Sequence, residues 1–222
     1  MIILGLPDIH GSWKKLNKLT NQIAVADLVL LLGDITNFGH KPEMESIVSW
    51  VKEINAHCLA VPGNCDHAET EEVLDAMDVN LNGRHKIINN LAFLGLGASL
   101  ATPFKGTPFE VSETYLEQKL ENAINELDPA YPKILVSHQP PYNTTADAVN
   151  DDLHVGSHSV RSFIKTHQPM LCFTGHIHEG RGIDSIGKTR IINPSPVYQG
   201  YYAHAEIEDS AIKVLEIRSI NE

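Results

Sequence analysis

Cysteine is scarce in this chain: Cys58, Cys65 and Cys172 are the only three in 222 residues. The number is odd and no C-x-x-C spacing occurs, which suits a reduced, cytoplasmic protein rather than a disulfide framework. Long apolar runs are missing as well. No stretch approaches the length of a membrane span. The first apolar run, Ile2 to Leu6, is too short for a secretory leader and has no basic segment before it. Positive charge is also in short supply, with 17 Lys and Arg against 28 Asp and Glu, a net charge of −11. That balance argues against nucleic acid as a partner, because non-specific binding relies on Lys and Arg neutralising phosphates. It does not exclude an anionic substrate, since bound divalent metals reverse the local sign. Linker and low-complexity tracts are absent, so residues 1–222 read as one domain. The 42% hydrophobic fraction is ordinary for a globular protein, and the length allows a sizeable core.

Histidine, by contrast, is plentiful, with 12 residues. The most informative stretch is Leu28-Val-Leu-Leu-Leu32 running straight into Gly33 and Asp34. A short, wholly apolar run with turn chemistry behind it reads as a strand buried on both faces. Asp34 then sits at a strand's carboxyl end, where open α/β sheets keep their ligand sites. The same punctuation recurs. Ile2–Leu6 ends in Asp8-Ile-His10, and Ser12 is placed to cap a helix running to about Ala24. Pro42 opens a second helix with Met44, Ile47, Val48 and Val51 on one stripe. A strand from His57 to Val61 ends in Gly63-Asn-Cys-Asp66. Arg84–Ile88 and Leu91–Leu96 flank Asn89-Asn90 as a hairpin, and a helix is expected from about Ser112 to Leu127. Lys133–Ser137 ends in His138-Gln-Pro-Pro141, the stretch 142–157 is polar and irregular, and a helix follows near Ser159–Thr166. Met170–Thr174 ends in Gly175-His-Ile-His178, and the remainder is rich in β-branched residues. Alternating strands and helices predict a mainly parallel sheet with helices against it.

Five expected strands therefore end in Asp, Asn or His. In an extended segment, residues i and i+2 point the same way. On that basis Asp8 with His10, and His176 with His178, each present two ligands to one cavity. Oxygen and imidazole ligands suit Mn, Fe, Zn, Co or Ni, with Mg less favoured. Taken singly, each motif has an ordinary reading as a turn or a capped loop. Five in succession, each behind an apolar strand, point to a metal site.

The ordered blocks D-x-H, G-D, G-N-x-D, S-H-x-P and G-H-x-H resemble the calcineurin-like metallophosphoesterase superfamily, in its small prokaryotic form. The resemblance spans residues 3 to about 195. It implies a four-layer α/β/β/α sandwich of two mixed sheets. It also implies two divalent metal ions, with manganese favoured. Asp8, His10 and His178 would hold one, Asn64, His138 and His176 the other, and Asp34 would bridge them. Paired metals about 3.5–4 Å apart can generate a bridging hydroxide and clamp phosphoryl oxygens during in-line attack. The implied activity is hydrolysis of a small phosphodiester, or a phosphomonoester. Asn64, Asp66, His138 and His154 are the candidate catalytic residues.

One position departs from the pattern: Cys65 stands where the family often has the histidine credited with protonating the leaving group. His67 and His154 are the candidate replacements. Ser157 and Arg161, at the start of a helix, are candidates for binding a substrate phosphate. The loop Thr102–Phe109 is readable as a lid, an apolar wall or a packed surface loop, and Asn193-Pro-Ser195 as a turn that buttresses the site. A non-enzymatic interaction module and a nuclease are the alternative functions. Monomer and homodimer are both compatible with the sequence.

Overall fold

The computed structural model describes residues 1–103, 106–150 and 153–221. Phe104 and Lys105, in the loop considered as a lid, and residues 151 and 152 of the polar stretch lie outside the described residues. In chain order the strands and helices are β1 (Ile2–Leu6), α1 (Trp13–Leu16), α2 (Thr20–Val25), β2 (Leu28–Leu32), α3 (Lys41–Ile54), β3 (Cys58–Val61) and α4 (Glu71–Ala76). Next come β4 (His85–Ile88), β5 (Leu91–Leu96), α5 (Glu113–Ile124), β6 (Lys133–Ser137), β7 (Ala148–Asn150), β8 (Leu153–His154) and α6 (His158–His167). The chain finishes with β9 (Leu171–Thr174), β10 (Gly182–Ile186), β11 (Thr189–Asn193), β12 (Tyr201–Glu208) and β13 (Ala211–Ser219).

Two large sheets form, ordered β13-β12-β1-β2-β3 and β10-β11-β9-β6-β5-β4. Both are mixed. β1, β2 and β3 run parallel while β12 and β13 are antiparallel additions. In the second sheet β5, β6, β9 and β11 are parallel, and β4 and β10 close the edges antiparallel. The alternation of β2 explains why its run is apolar throughout. Leu28, Leu30 and Leu32 face the second sheet, against Phe93, Val136 and Phe173. Val29 and Leu31 face outward, against Met44, Ile47 and Val48 of α3. On the far side, Leu94, Leu135 and Cys172 of the second sheet meet Leu116 and Leu120 of α5 and Phe163 and Ile164 of α6. Helices, sheet, sheet and helices therefore stack in four layers, as the resemblance implies. Each fully buried Leu, Val, Ile or Phe in these clusters contributes about 1.5–3 kcal/mol.

Local chemistry sets several boundaries. Asn89 and Asn90 take φ of 50° and 61° in the β4–β5 turn, the left-handed pair that a two-residue hairpin needs. Ser112 caps α5 by accepting from the Tyr115 N–H. The helix expected from Ser12 to Ala24 is instead broken into α1, a 3-10 turn over Asn17–Leu19, and α2. The Ser12 side chain makes no capping bond there, and the turns are held by their backbone bonds, by the Thr20 hydroxyl donating to Asn17 O at 2.7 Å and by packing of Leu16, Leu19 and Ile23. The polar stretch expected to be irregular carries the β7–β8 ribbon. The three cysteines are free and buried. Among the described residues no helix is long and apolar enough to cross a membrane.

Candidate metal centre

Every candidate ligand lies just beyond a strand: Asp8 and His10 after β1, Asp34 after β2, Asn64 after β3, His138 after β6, and His176 and His178 after β9. The first three strands belong to one sheet and the last two to the other, so the ligands meet where the carboxyl ends of both sheets converge. The i, i+2 argument from extended backbone does not hold. Asp8, His10, Asp34 and His176 have φ of 51°, 47°, 49° and 67°, all left-handed. Non-glycine residues in that region carry strain that the surrounding fold must support, and such strain concentrates at functional sites. The pairs converge through tight turns, held by Asp8 N–H donating to Gly33 O and His10 N–H to Asp34 O. Two glycines make room. A Cβ at Gly33 would collide with the His138 ring, and one at Gly63 with Asp34 Oδ1.

The resulting geometry brings acceptors face to face. His138 Nδ1 lies 2.8 Å from Leu32 O, which can only accept, so Nδ1 carries the hydrogen. In the neutral ring Nε2 is then a lone pair. It lies 3.1 Å from Asn64 Oδ1 and 3.5 Å from Asp34 Oδ1. His10 Nε2 stands 3.6 Å from Asp34 Oδ2, buried and without a hydrogen-bond partner. His178 Nε2 is 3.6 Å from Asp8 Oδ1, and the His176 ring packs 5.1 Å from that of His138. Ligand atoms of Asp8, His10 and His178 lie within 4.8 Å of one another, as do those of Asp8, Asp34 and His138, and those of His10, Asp34 and Cys65. Mutually facing acceptors with an orphaned imidazole nitrogen need positive charge between them. The oxygen and imidazole set fits divalent cations of the Mn, Fe, Zn type.

Titration follows the same crowding. Burial drives His176 down to about 3, and the His138 ring adds to it. Burial likewise holds His10 below the ordinary imidazole value. Burial works to raise Asp8, but the close His178 ring and the other imidazoles outweigh it and leave Asp8 below the usual carboxylate range. His178 is the mirror case: burial lowers it, contact with Asp8 prevails, and it sits above its usual value. Burial, followed by the Asp34 charge, pushes the Cys65 thiol far up, so it is a neutral thiol.

Other candidates take different places. Asp66 is fully buried and accepts from the N–H groups of Ile35 (3.1 Å), Thr36 (2.8 Å) and Gly63 (2.8 Å) and from the Thr36 hydroxyl (2.8 Å). Burial and the nearby Asp34 push it up to about 6. It ties the Asp34 loop to the Asn64 loop and does not line the cavity, so the structure does not place it among the candidate reacting groups. His154 lies between Leu153 and Val155, which line the cavity next to the cluster. Its own ring turns to Asp147, 2.8 Å away, so the structure does not bring it to the ligands. His67 stacks on His40 at 4.2 Å instead. Ser157 and Arg161 do not line the cavity either. The α6 N-terminus does bind an anion, but the anion is Glu113. Its carboxylate accepts from His158 N–H at 2.8 Å, Ser159 N–H at 3.0 Å and the Ser157 hydroxyl at 2.6 Å. Arg161 donates to the carbonyls of Tyr142 and Asn143.

Sequence reasoning missed Tyr198, whose hydroxyl is 3.1 Å from His178 Nδ1. It also missed Gln139, adjacent to His138, whose amide bonds Leu100 N–H and Val155 O. Their only sequence signal is proximity to a motif. The 193–195 turn does buttress the site: Asn193 Nδ2 donates to Ile177 O at 2.8 Å, and Ser195 Oγ to His178 O at 2.7 Å.

A family model described as calcineurin-like phosphoesterase matches residues 1–180. An uncharacterized protein of Methanocaldococcus jannaschii is 40% identical over 203 residues, covering 88% of each chain. Among solved structures, a protein of Thermus thermophilus is similar with a TM-score of 0.78 at 21% identity, over 99% of this chain and 98% of that one. A purple acid phosphatase from yellow lupin seeds is similar with a TM-score of 0.66 at 12% identity, over 100% of this chain and 52% of that one. An archaeal phosphodiesterase is similar with a TM-score of 0.51 at 14% identity, over 97% and 100%. At these identities the solved structures speak to the fold.

Proposed function

Because the chain belongs to the calcineurin-like phosphoesterase family, we propose that it hydrolyses a small phosphodiester, or a phosphomonoester, with two divalent metal ions. Asp8, His10 and His178 would hold one, Asn64, His138 and His176 the other, and Asp34 would touch both, with manganese the favoured ion. The observation that carries the reading is the His138 Nε2 lone pair turned toward Asn64 Oδ1 at 3.1 Å and Asp34 Oδ1 at 3.5 Å. An arrangement of acceptors alone is costly unless a cation lies among them. When bound, such ions polarise phosphoryl oxygens and make water a better nucleophile at neutral pH.

The chain's own groups supply orientation. Leu32 O fixes the His138 tautomer, so its lone pair stays aimed at the cavity. The Cys65 N–H donates to Asp34 Oδ1 at 2.7 Å and fixes that carboxylate. Asp66 locks both loops from behind. Tyr198 orients His178. Among the described lining residues the imidazoles are all candidate metal ligands, and the Cys65 thiol is buried and hard to ionise, so neither offers the leaving group a good proton donor. His138, Asn64 and Asp34 are thus the core of the reacting site, with Asp66 supporting them.

The test is to strip the protein of metal, reload it with Mn²⁺, and measure ions per chain by elemental analysis. A panel of phosphodiesters, phosphomonoesters and short nucleic acids is then assayed. Two ions per chain and metal-dependent cleavage of small esters are expected. One ion or none would refute the two-metal reading, and cleavage of nucleic acid alone would favour a nuclease.

A further inference from the structure

The cavity beside the ligand cluster is apolar. Its volume is about 480 Å³, and it reaches His10, Asp34, Asn64, His176 and His178 at its base. That size is typical of small-molecule sites, which run roughly 300–1,000 Å³. Leu100 and Pro103 line it from one loop, and Val149, Leu153 and Val155 from the β7–β8 segment. Among the described lining residues none is Lys or Arg, and the one charged wall residue beyond the ligand cluster is the acidic Glu179. Phe38 and Leu153 line the same cavity while 48% and 49% exposed. Large apolar side chains held half in water beside a reactive centre mark a surface meant to be covered.

The walls are also built rather than incidental. Gln139 is fully buried and follows the candidate ligand His138. Its Oε1 accepts from Leu100 N–H at 2.9 Å and its Nε2 donates to Val155 O at 3.2 Å. One side chain thereby fixes both apolar segments relative to the ligand cluster. Glu110 braces the first loop, accepting from Thr102 N–H at 3.0 Å and from the Thr102 and Thr107 hydroxyls at 2.7 and 2.5 Å.

We infer that the substrate is a phosphoester bearing an uncharged apolar group, alkyl or aryl, which lies against Leu100, Pro103, Val149, Leu153 and Val155. The inference rests on the phosphoesterase reading and names its substrate class. A second phosphate or a carboxylate on the substrate would find no cation among the described wall residues and would meet Glu179, so polyphosphorylated and acidic substrates are disfavoured.

The experiment holds the leaving group constant. Mn²⁺-loaded protein is assayed with p-nitrophenyl methyl, ethyl, butyl and hexyl phosphodiesters, and with a 2-carboxyethyl diester. In parallel, binding of the matching alkyl phosphonates is followed by calorimetry. We expect kcat/KM and phosphonate affinity to rise by up to about fourfold per methylene buried, the factor equivalent to the usual transfer free energy of that group. The carboxyethyl ester should be the poorest substrate. Leu153→Asp should flatten both series, and Val149→Asp serves as a second variant, with melting curves confirming that each is folded. Cleavage of all esters with no dependence on chain length, or preference for the carboxyethyl ester, overturns the inference and leaves the phosphoesterase reading standing. Rising phosphonate affinity without any ester cleavage overturns the phosphoesterase reading and leaves the apolar site standing. No cleavage together with flat phosphonate affinity overturns both.

Discussion

Two polar clusters in this protein differ in how their groups are matched. At the α6 N-terminus, two backbone N–H groups and the Ser157 hydroxyl point at the Glu113 carboxylate, with every contact between 2.6 and 3.0 Å. Donors meet an acceptor, and the negative charge also suits the helix dipole. At the strand ends, acceptors meet acceptors: His138 Nε2, Asn64 Oδ1 and both Asp34 oxygens converge, and His10 Nε2 has no hydrogen-bond partner. The first cluster is complete within the chain and stabilises it. The second lacks positive charge that the chain does not provide, which marks it as the place for a ligand. Both were read from the sequence as ligand sites, one for a phosphate and one for metals, and the pairing of donors with acceptors separates them.

The largest effect is expected from Asp34→Asn. Removing the carboxylate that faces both sides should lower kcat/KM by about 10³-fold or more, on the scale of several kcal/mol of transition-state stabilisation by metal ions. Elemental analysis should show loss of bound metal. A variant that keeps two ions and near-normal activity would overturn the role given to Asp34.

The next effect concerns Cys65. A positioned acid typically contributes about 10²–10⁴-fold, and a buried thiol is a weak proton donor. Rates across a series of esters should therefore fall steeply as leaving-group pKa rises. Cys65→His should flatten that slope and speed the poorest leaving groups by about 10–100-fold, within that general-acid range. An unchanged slope, with both metals bound, would count against the missing acid.

Tyr198→Phe should act chiefly through His178, since the hydroxyl's other hydrogen bond among the described residues is a longer one from Gln199 Nε2 at 3.3 Å. Loss of the hydroxyl that orients a metal-ligating imidazole typically costs about 10–100-fold in affinity or activity. Competitive chelation should report weaker metal binding in this variant with the fold unchanged by circular dichroism. Equal metal affinity in the two proteins would reduce Tyr198 to a packing residue.

Glu113→Ala gives the smallest effect and tests the other cluster. It should destabilise the fold by about 0.5–2 kcal/mol, the usual range for a lost helix cap, while KM stays unchanged. Burial works to raise Glu113, but its bonds to Ser157, Ser159 and His158 prevail and hold it below the usual carboxylate value. A carboxylate lowered in the folded state contributes stability above its unfolded pKa and loses it as pH falls through the folded one. The gap in melting temperature between native protein and variant should therefore close in acid. A higher KM in Glu113→Ala would return Ser157 and Arg161 to consideration as substrate contacts.

The candidate ligand positions were legible because their signal is local. An apolar run sets the strand, glycine allows the turn, and the next polar residue is delivered to the strand end. Asp34 and His138 needed nothing more. The hairpin at Asn89-Asn90 and the capped helix after Ser112 were readable for the same reason. His154 was readable as an imidazole but not as one facing away from the cavity, because the pleat of the β7–β8 ribbon decides which of Leu153, His154 and Val155 point inward. Glu113 lies 44 residues from Ser157, and Tyr198 lies 20 from His178, so neither pairing leaves a trace in sequence spacing.

Local sequence therefore set most of the strands and helices, though not α4, the β7–β8 ribbon, β10 or the break between α1 and α2, together with the buried faces of β2 and α3 and the residues chemically able to bind a divalent ion. All of these follow from periodicity and from the chemistry of single side chains. Tertiary structure alone decided that four candidate ligands take left-handed backbone, that Glu113 fills the helix start expected to hold phosphate, and that an apolar cavity adjoins the ligand cluster. Those features depend on distances between segments remote in the chain, and such distances are set by how the two sheets pack.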